Sequence, residues 1–161
     1  MLVLVEHRAA QRFAGHGYPR LAAQPAADAQ AFARWAEPHH ILVVEASDGA
    51  PAGFAAMRPV GRFLHLGELS VDPSQGRRGI GRTLVEAVAV RAARFGLAGV
   101  SLSTFRSVPF NAPFYGALGF AELPVDAAPP ELAIQFYDEV PEGVDPRARL
   151  LMTRPSSTQD R

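Results

Sequence analysis

The residues whose types and spacing could do chemistry lie between Glu68 and Arg82, in the run ELSVDPSQGRRGIGR. Gly76, Gly79 and Gly81 are spaced so that the backbone can turn sharply and come close to a ligand. They fall where an apolar strand ends at Val71 and a helix opens. A helix N-terminus presents unpaired N–H groups and the positive end of its dipole, which suits a phosphate. Arg77, Arg78 and Arg82 bring positive charge to the same place. The set reads as a phosphate cradle, and the bland alternative is a glycine-rich turn with solvated arginines. Two familiar phosphate motifs do not fit. A dinucleotide fingerprint needs G-x-G-x-x-G, and Leu84 stands where the third glycine would be. A nucleoside-triphosphate loop needs a lysine, and the chain has none.

Other side chains could move a proton or hold a substrate. Glu68 stands mid-strand and by alternation shares a face with Leu64, Leu66 and Ser70. A carboxylate on a largely apolar face is costly unless it is paired or lines a wet cleft. Burial would also raise its pKa towards the range a general base needs; a salt bridge to an arginine is the structural alternative. His65, three residues earlier, is the second candidate base. Asn111, two residues before Pro113, can cap a short helix. Tyr115 can pack with Phe114 as an aromatic core residue. His39 and His40 are adjacent, so their side chains point apart, and no carboxylate or cysteine follows at ligand spacing. They are expected at the surface, and no metal is implied.

Composition bounds what such a site can serve. At 161 residues the chain is most simply one domain over 1–155 with a loose polar tail at 156–161, long enough to bury a core. Its 16 basic residues, all arginine, cancel its 16 acidic ones. That argues against a general nucleic-acid binder but leaves room for a local arginine cluster at an anion. The absence of cysteine removes thiol nucleophiles, zinc–thiolate sites and disulfides. No segment is apolar for long enough to span a bilayer, and Glu6, His7, Arg8 and Arg12 come too early for a signal peptide. A cytoplasmic location, without membrane or nucleic-acid partners, is expected.

Several elements must position these residues. The run from Leu2 to Val5 has strand composition, yet Leu2, Val5, Ala9 and Phe13 recur at helical spacing. Gly15–Pro25 reads as a flexible piece of the sort that shapes a pocket. A helix is expected from about Ala26 to Trp35, with Asp28 in its first turn. Ile41–Ala46 and Ala52–Arg58 form a hairpin across Asp48-Gly49, and a further reversal leads into Phe63–Val71. Three consecutive antiparallel strands result. The helix after the cradle packs Ile80, Leu84, Val85, Val88 and Phe95 inward and ends at a Gly96 cap. Val100–Phe105 follows, and strand–helix–strand order makes it a parallel partner of Phe63–Val71. Then come a short helix within Val108–Phe120, a strand from Gly119-Phe120, a helix from Pro129-Pro130 to Val140 and a last strand at Arg149–Thr153. No internal repeat is present.

The cradle follows a V-D-P strand end, Val71-Asp72-Pro73, and has the pattern [QR]-x-x-G-x-[GA], except that Gly76 holds the usual Gln/Arg position and Gln75 lies one residue early. Further on, Asn111, Tyr115 and Gly119-Phe120 recur in order within STFRSVPFNAPFYGALGF. On these two motifs the chain resembles the GNAT superfamily of acetyl-CoA-dependent N-acetyltransferases, and one bacterial branch in particular. The resemblance covers Leu42–Phe120 well and the termini more weakly. It implies a mixed, mostly antiparallel α/β sheet of the α+β type flanked by helices, with two splayed central parallel strands. It also implies acetyl-CoA as co-substrate, its pyrophosphate gripped by Arg77, Arg78, Gly79, Gly81, Arg82 and Thr83 and its pantetheine arm met by Asn111. Glu68 would take a proton from the amine. Main-chain N–H groups near Leu69 and Val71 would polarise the thioester carbonyl. Tyr115 would protonate the departing thiolate, a reasonable match for a phenol with pKa near ~10 facing a thiol near ~8.5.

The reaction so implied is direct acetyl transfer to a primary amine in a ternary complex, with a small-molecule or peptide acceptor and a monomer or homodimer as the working form. A catalytically degenerate acetyl-CoA-binding or regulatory module is the alternative. In the family a strand normally precedes the first helix. Here LVLVEHRAAQRF looks like that helix itself, with Glu6 and Phe13 in matching places. The first strand is then missing, and Ile41–Ala46 becomes an exposed sheet edge.

Overall fold

The computed structural model describes residues 1–157, so most of the tail expected at 156–161 lies outside the described residues. Six strands, β1 (His40–Glu45), β2 (Pro51–Val60), β3 (Phe63–Val71), β4 (Gly99–Phe105), β5 (Ala121–Glu122) and β6 (Arg149–Pro155), form one sheet in the order β1-β2-β3-β4-β6-β5. The helices are α1 (Leu2–Ala10), α2 (Pro19–Ala22), α3 (Ala29–Ala36), α4 (Ile80–Arg94), α5 (Ala112–Ala117) and α6 (Pro130–Asp138). β1 is antiparallel to β2, and β6 is antiparallel to both β4 and β5. β3 and β4 are parallel, as the strand–helix–strand order requires. Their ladder joins Phe63–His65 to Gly99–Ser101, while β3 continues to Val71 and β4 to Phe105. No helix among the described residues is long and apolar enough to cross a membrane.

The chain divides into two compact units. The first comprises Met1–Met57 and Glu68–Ala87. Its opening run is helical. Val5 is buried and packs with Phe54 and Ala56, with Leu2, Phe32 and Ile41 around them, while Leu4 stays exposed. A strand would have put Leu2 and Leu4 on one face, whereas the helix turns Leu2 and Val5 inward together. β1 is accordingly the terminal strand of the sheet. The segment Gly15–Pro25, expected as a flexible piece, is instead largely built. A 3-10 turn over Gln11–His16 ends at left-handed Gly17, α2 follows with Pro19 in its first turn, and Gln11 Nε2 donates to the Ala22 carbonyl at 2.8 Å. α3 starts later than the expected Ala26 because Asp28 is its N-cap, accepting from the Ala31 N–H at 2.8 Å. The β1–β2 turn is as read: Gly49 has φ +81° and Asp48 Oδ1 accepts from the Ala50 N–H at 3.0 Å.

The second unit comprises Arg58–Gly67 and the described residues from Val88 onward. Val60, Leu132, Phe136 and Leu151 form its buried core against α6. Gly99 lets β4 run beside β6, since a side chain there would collide with the Arg154 carbonyl. β6 runs on to Pro155, past the expected Thr153. Ser156 is then fastened by its N–H to the Ala98 carbonyl and by its hydroxyl to the Leu97 carbonyl, each at 2.9 Å.

In α4, Leu84, Val85, Val88 and Ala92 are buried, but Phe95, expected inward, is 51% exposed. The helix has ended at Arg94, and left-handed Gly96 turns the chain so that the Leu97 N–H closes on the Ala92 carbonyl at 3.0 Å. The glycine cap predicted the helix end correctly, and that end is what removes Phe95 from the packed face.

Candidate functional site

In the first unit β3 ends at Val71 and a 3-10 turn, Pro73–Gln75, leads into Gly76. Arg77 then adopts φ +62°, the one non-glycine residue of the described chain in the left-handed region, and Gly79 adopts φ +75°. Alternation of backbone handedness of this kind curls successive N–H groups into a concave nest for an anion. α4 begins at Ile80, and its first closing bond runs from the Thr83 N–H to the Gly79 carbonyl at 2.9 Å. The N–H groups of Ile80, Gly81 and Arg82 therefore precede the intrahelical ladder and are the donors a helix start offers. Gly76–Gly79, Arg82 and Thr83 are exposed. Nothing lies within 4 Å of where a Cβ on Gly79 would stand, so what that position demands is its left-handed backbone.

Glu68 is half-buried on β3, and its Oε1 accepts from the Ser70 hydroxyl at 2.7 Å. Strand alternation put these two residues on one face, and the structure joins them. Ser70 itself is buried. Leu69 and Val71 are half-buried and two residues apart on one strand, so their N–H groups point to the same edge.

In the second unit Tyr115 lies on α5 and is buried, edge-on to Phe114 at 5.1 Å and to Phe120 at 5.7 Å between ring centres. The Gly119-Phe120 pair now has a local reason. Left-handed Gly119 folds the chain back so that the Phe120 N–H closes on the Tyr115 carbonyl at 3.1 Å and the Phe120 ring lands on the tyrosine. Asn111 precedes α5 but makes no side-chain cap bond. Its Oδ1 is buried without a hydrogen-bond partner, a costly arrangement for an amide oxygen unless a ligand donor meets it.

His65 does not resemble a base open to substrate. It is 1% exposed, with Nδ1 2.9 Å from Ser101 Oγ and Nε2 2.9 Å from Glu139 Oε1. His39 stacks on Trp35 at 4.5 Å and its Nδ1 lies 2.8 Å from the Trp35 carbonyl, at the end of α3.

Two residues shape the cradle in ways the sequence does not announce: Gly53 stands unremarked in β2, and Asp72 reads only as part of the V-D-P strand end. A Cβ on Gly53 of β2 would meet the Ser70 carbonyl at 2.9 Å and Ile80 Cγ2 at 3.1 Å, so only glycine lets β2 pass under the start of α4. A glycine inside a strand is the signal that could have found it. Asp72 is 7% exposed, and its Oδ1 accepts from both the N–H and the hydroxyl of Ser74, at 3.0 and 2.8 Å. Burial works to raise its pKa, but the Ser74 bonds and the Arg8 guanidinium outweigh it and hold the carboxyl below its usual range.

The family model described as Acetyltransferase (GNAT) family matches residues 5–120. Among solved structures, the PaiA N-acetyltransferase of Thermoplasma acidophilum, in complex with coenzyme A, is 17% identical over 96% of this chain and 90% of its own, with a TM-score of 0.60. The ribosomal-protein-S18-alanine N-acetyltransferase of Escherichia coli is 22% identical over 91% of this chain and 88% of its own, with a TM-score of 0.61. Nourseothricin acetyltransferase is 23% identical, with a TM-score of 0.56; the match covers 74% of this chain and 66% of that one, just under two thirds of its length.

Proposed function

Because the chain belongs to the acetyltransferase (GNAT) family, whose model covers most of it, we propose that it transfers an acetyl group from acetyl-CoA directly to a primary amine. The observation that carries this reading is the exposed turn opening α4, where Arg77 and Gly79 are left-handed and three arginines cluster. That turn is built to take the coenzyme's pyrophosphate on backbone N–H groups from Arg77 to Thr83, with Arg77, Arg78 and Arg82 adding charge. Asn111 Oδ1, buried and unsatisfied, suits an amide N–H of the pantetheine arm.

In the proposed step, Glu68 takes a proton from the acceptor ammonium. The freed amine nitrogen attacks the thioester carbonyl carbon, and the N–H groups of Leu69 and Val71 stabilise the oxygen as it becomes negative. As the C–S bond breaks, the Tyr115 hydroxyl gives its proton to the sulfur, and the second proton shed by the nitrogen restores the phenol by way of solvent. Amine and acetyl-CoA become amide and free coenzyme A. A small molecule or a peptide terminus both qualify as acceptor. The structural neighbours include a nourseothricin acetyltransferase and a ribosomal-protein-S18-alanine N-acetyltransferase.

Calorimetry with acetyl-CoA and with ATP tests the cradle, with binding expected for the first and not the second. A thiol-release screen over amine classes then tests transfer. Acetyl-CoA binding without turnover on any amine would favour a degenerate binding module, and ATP binding in its place would overturn the reading.

A further inference from the structure

The orientation of the cradle is referenced to one buried carboxylate. Asp72 donates its N–H to the Ala52 carbonyl of β2 at 2.8 Å, which ties it to the sheet. Its own carbonyl accepts from the Gln75 N–H at 2.9 Å, and the Pro73 carbonyl accepts from the Gly76 N–H at 3.2 Å. With the two Ser74 bonds already described, the whole turn that delivers the chain to Arg77 hangs from this residue. The remaining carboxylate oxygen, Oδ2, faces α1. There it receives Arg8 Nε at 2.8 Å and a second guanidinium nitrogen at 2.6 Å. Arg8 is placed for this by its helix: three residues on from the buried anchor Val5, it emerges one turn further along nearly the same face.

An aspartate at this exposure is costly to keep charged without a cation beside it. It also lies five residues from Arg77, in a segment meant to receive an anionic ligand. Uncompensated, its charge would oppose the pyrophosphate. The Arg8 guanidinium therefore cancels a negative charge at the foot of the cradle.

We propose that Arg8 is a positioning residue for the coenzyme: from α1 it neutralises Asp72, whose charge would otherwise oppose a pyrophosphate bound on the turn, while the Ser74, Ala52 and Gln75 bonds hold the turn itself. The inference rests on the reading of the cradle as the coenzyme A site. It makes an asymmetric claim about the two partners. In Asp72→Asn the amide oxygen can still accept from Ser74, so the turn persists, and the charge that Arg8 had to cancel is gone. Arg8→Ala leaves the charge in place and unpaired. Asp72→Ala removes the turn's acceptor altogether.

Calorimetric titration of coenzyme A into the folded full chain and its variants reads this out. Arg8→Ala is expected to weaken binding roughly five- to tenfold, Arg8→Lys to recover part of the loss, and Asp72→Asn to change affinity by less than about twofold. Adding Arg8→Ala to Asp72→Asn is then expected to cost nothing further. Equal losses in both backgrounds would mean that Arg8 acts independently of Asp72, and losses that follow melting temperature would mean a merely structural role. Native affinity in a folded Arg8→Ala protein, or an Arg8→Ala effect of the same size with Asn at position 72, overturns the proposal while leaving the coenzyme site standing. Failure of the unmodified protein to bind coenzyme A overturns both.

Discussion

Glu139 Oε1 stands 2.9 Å from His65 Nε2, on the opposite side of the imidazole from Ser101 Oγ, which is 2.9 Å from Nδ1. An ionised carboxylate can only accept, so Nε2 carries the donated proton and Nδ1 is left to pair with the hydroxyl. Gln135 Nε2 donates to the same carboxylate oxygen at 2.8 Å. Both imidazole nitrogens are engaged inside the protein, and the histidine becomes a fastener between β3, β4 and the end of α6. Burial works to raise the Glu139 pKa, but the His65 and Gln135 bonds overcome it and hold the carboxyl below its ordinary 4.5. A depressed folded pKa contributes stability that is complete above the unfolded value and is lost as pH falls through the folded one. Glu139→Gln is therefore expected to cost roughly 1–3 kcal/mol near neutral pH, with the gap to the native protein closing below about pH 4. Urea unfolding across that range measures it, and a gap independent of pH would show that the carboxylate's charge is not what holds α6.

Arg77 offers a separate test of the cradle's backbone. A left-handed conformation costs a non-glycine residue roughly 1–2 kcal/mol, and Arg77 at φ +62° bears that cost at an exposed position. Arg77→Gly is expected to leave stability unchanged or raise it by up to about 1 kcal/mol, while weakening coenzyme A binding through the lost charge. Arg77→Val is expected to weaken binding and stability together. A fall in melting temperature for the glycine variant would mean that the side chain, rather than the turn, stabilises this segment.

Replacing Gly79 and Gly81 together by valine is expected to abolish acetyl-CoA binding. At Gly79 the loss comes from the backbone: φ +75° is strained for any β-branched residue. At Gly81 the added side chain crowds the ligand's approach to the helix start. Circular dichroism establishes folding and calorimetry reads affinity. A folded double variant with native affinity would remove the cradle from the binding site.

What was legible in the sequence was what local rules govern. Glycine punctuation marked the cradle and the end of α4, and period-two alternation put Glu68 beside Ser70, which now share a hydrogen bond. The parallel pairing of β3 with β4 followed from the intervening helix. Contacts between distant segments were not legible, because no periodicity announces them. Arg8 and Asp72 are 64 residues apart, and nothing in either neighbourhood predicts the other. Gly15–Pro25 was misread because its glycines suggest a free loop, while Gln11 reaches across to the Ala22 carbonyl and closes it. Residue type and Pro113 two residues on make Asn111 a possible cap, and the family resemblance makes it a contact of the pantetheine arm; the absence of a cap bond and the unpaired buried oxygen are visible only with coordinates.

The proposed proton transfers separate by kinetics. Glu68→Gln keeps a group able to accept from Ser70 but cannot take a proton. Turnover is expected to fall about 10²- to 10⁴-fold with acetyl-CoA affinity near native, and the acid limb of the pH–rate profile to disappear. Tyr115→Phe keeps the ring that packs on Phe114 and Phe120 and removes only the hydroxyl, so it is expected to slow turnover without unfolding the protein. Native turnover in both variants would leave positioning of the reactants as the whole mechanism.

The end of the sheet supplies the last prediction. β1 is bonded to β2 along one side, from His40 opposite Met57 to Glu45 opposite Pro51, and stands last in the strand order. In an antiparallel edge strand alternate N–H groups point away from the partner, towards whatever borders the sheet. α1 does not supply a neighbouring strand: its Val5 packs against the face of β2 at Phe54 and Ala56. Hydrogen exchange is therefore expected to split Ile41–Glu45 into two sets, one protected by β2 and the other exchanging much faster. The β2 residues Phe54–Met57, on an inner strand and fully buried, should exchange slowly throughout. Uniformly slow exchange along β1 would show that its outer edge is covered in solution, and sedimentation at the same concentration would then tell whether a second copy of the chain covers it.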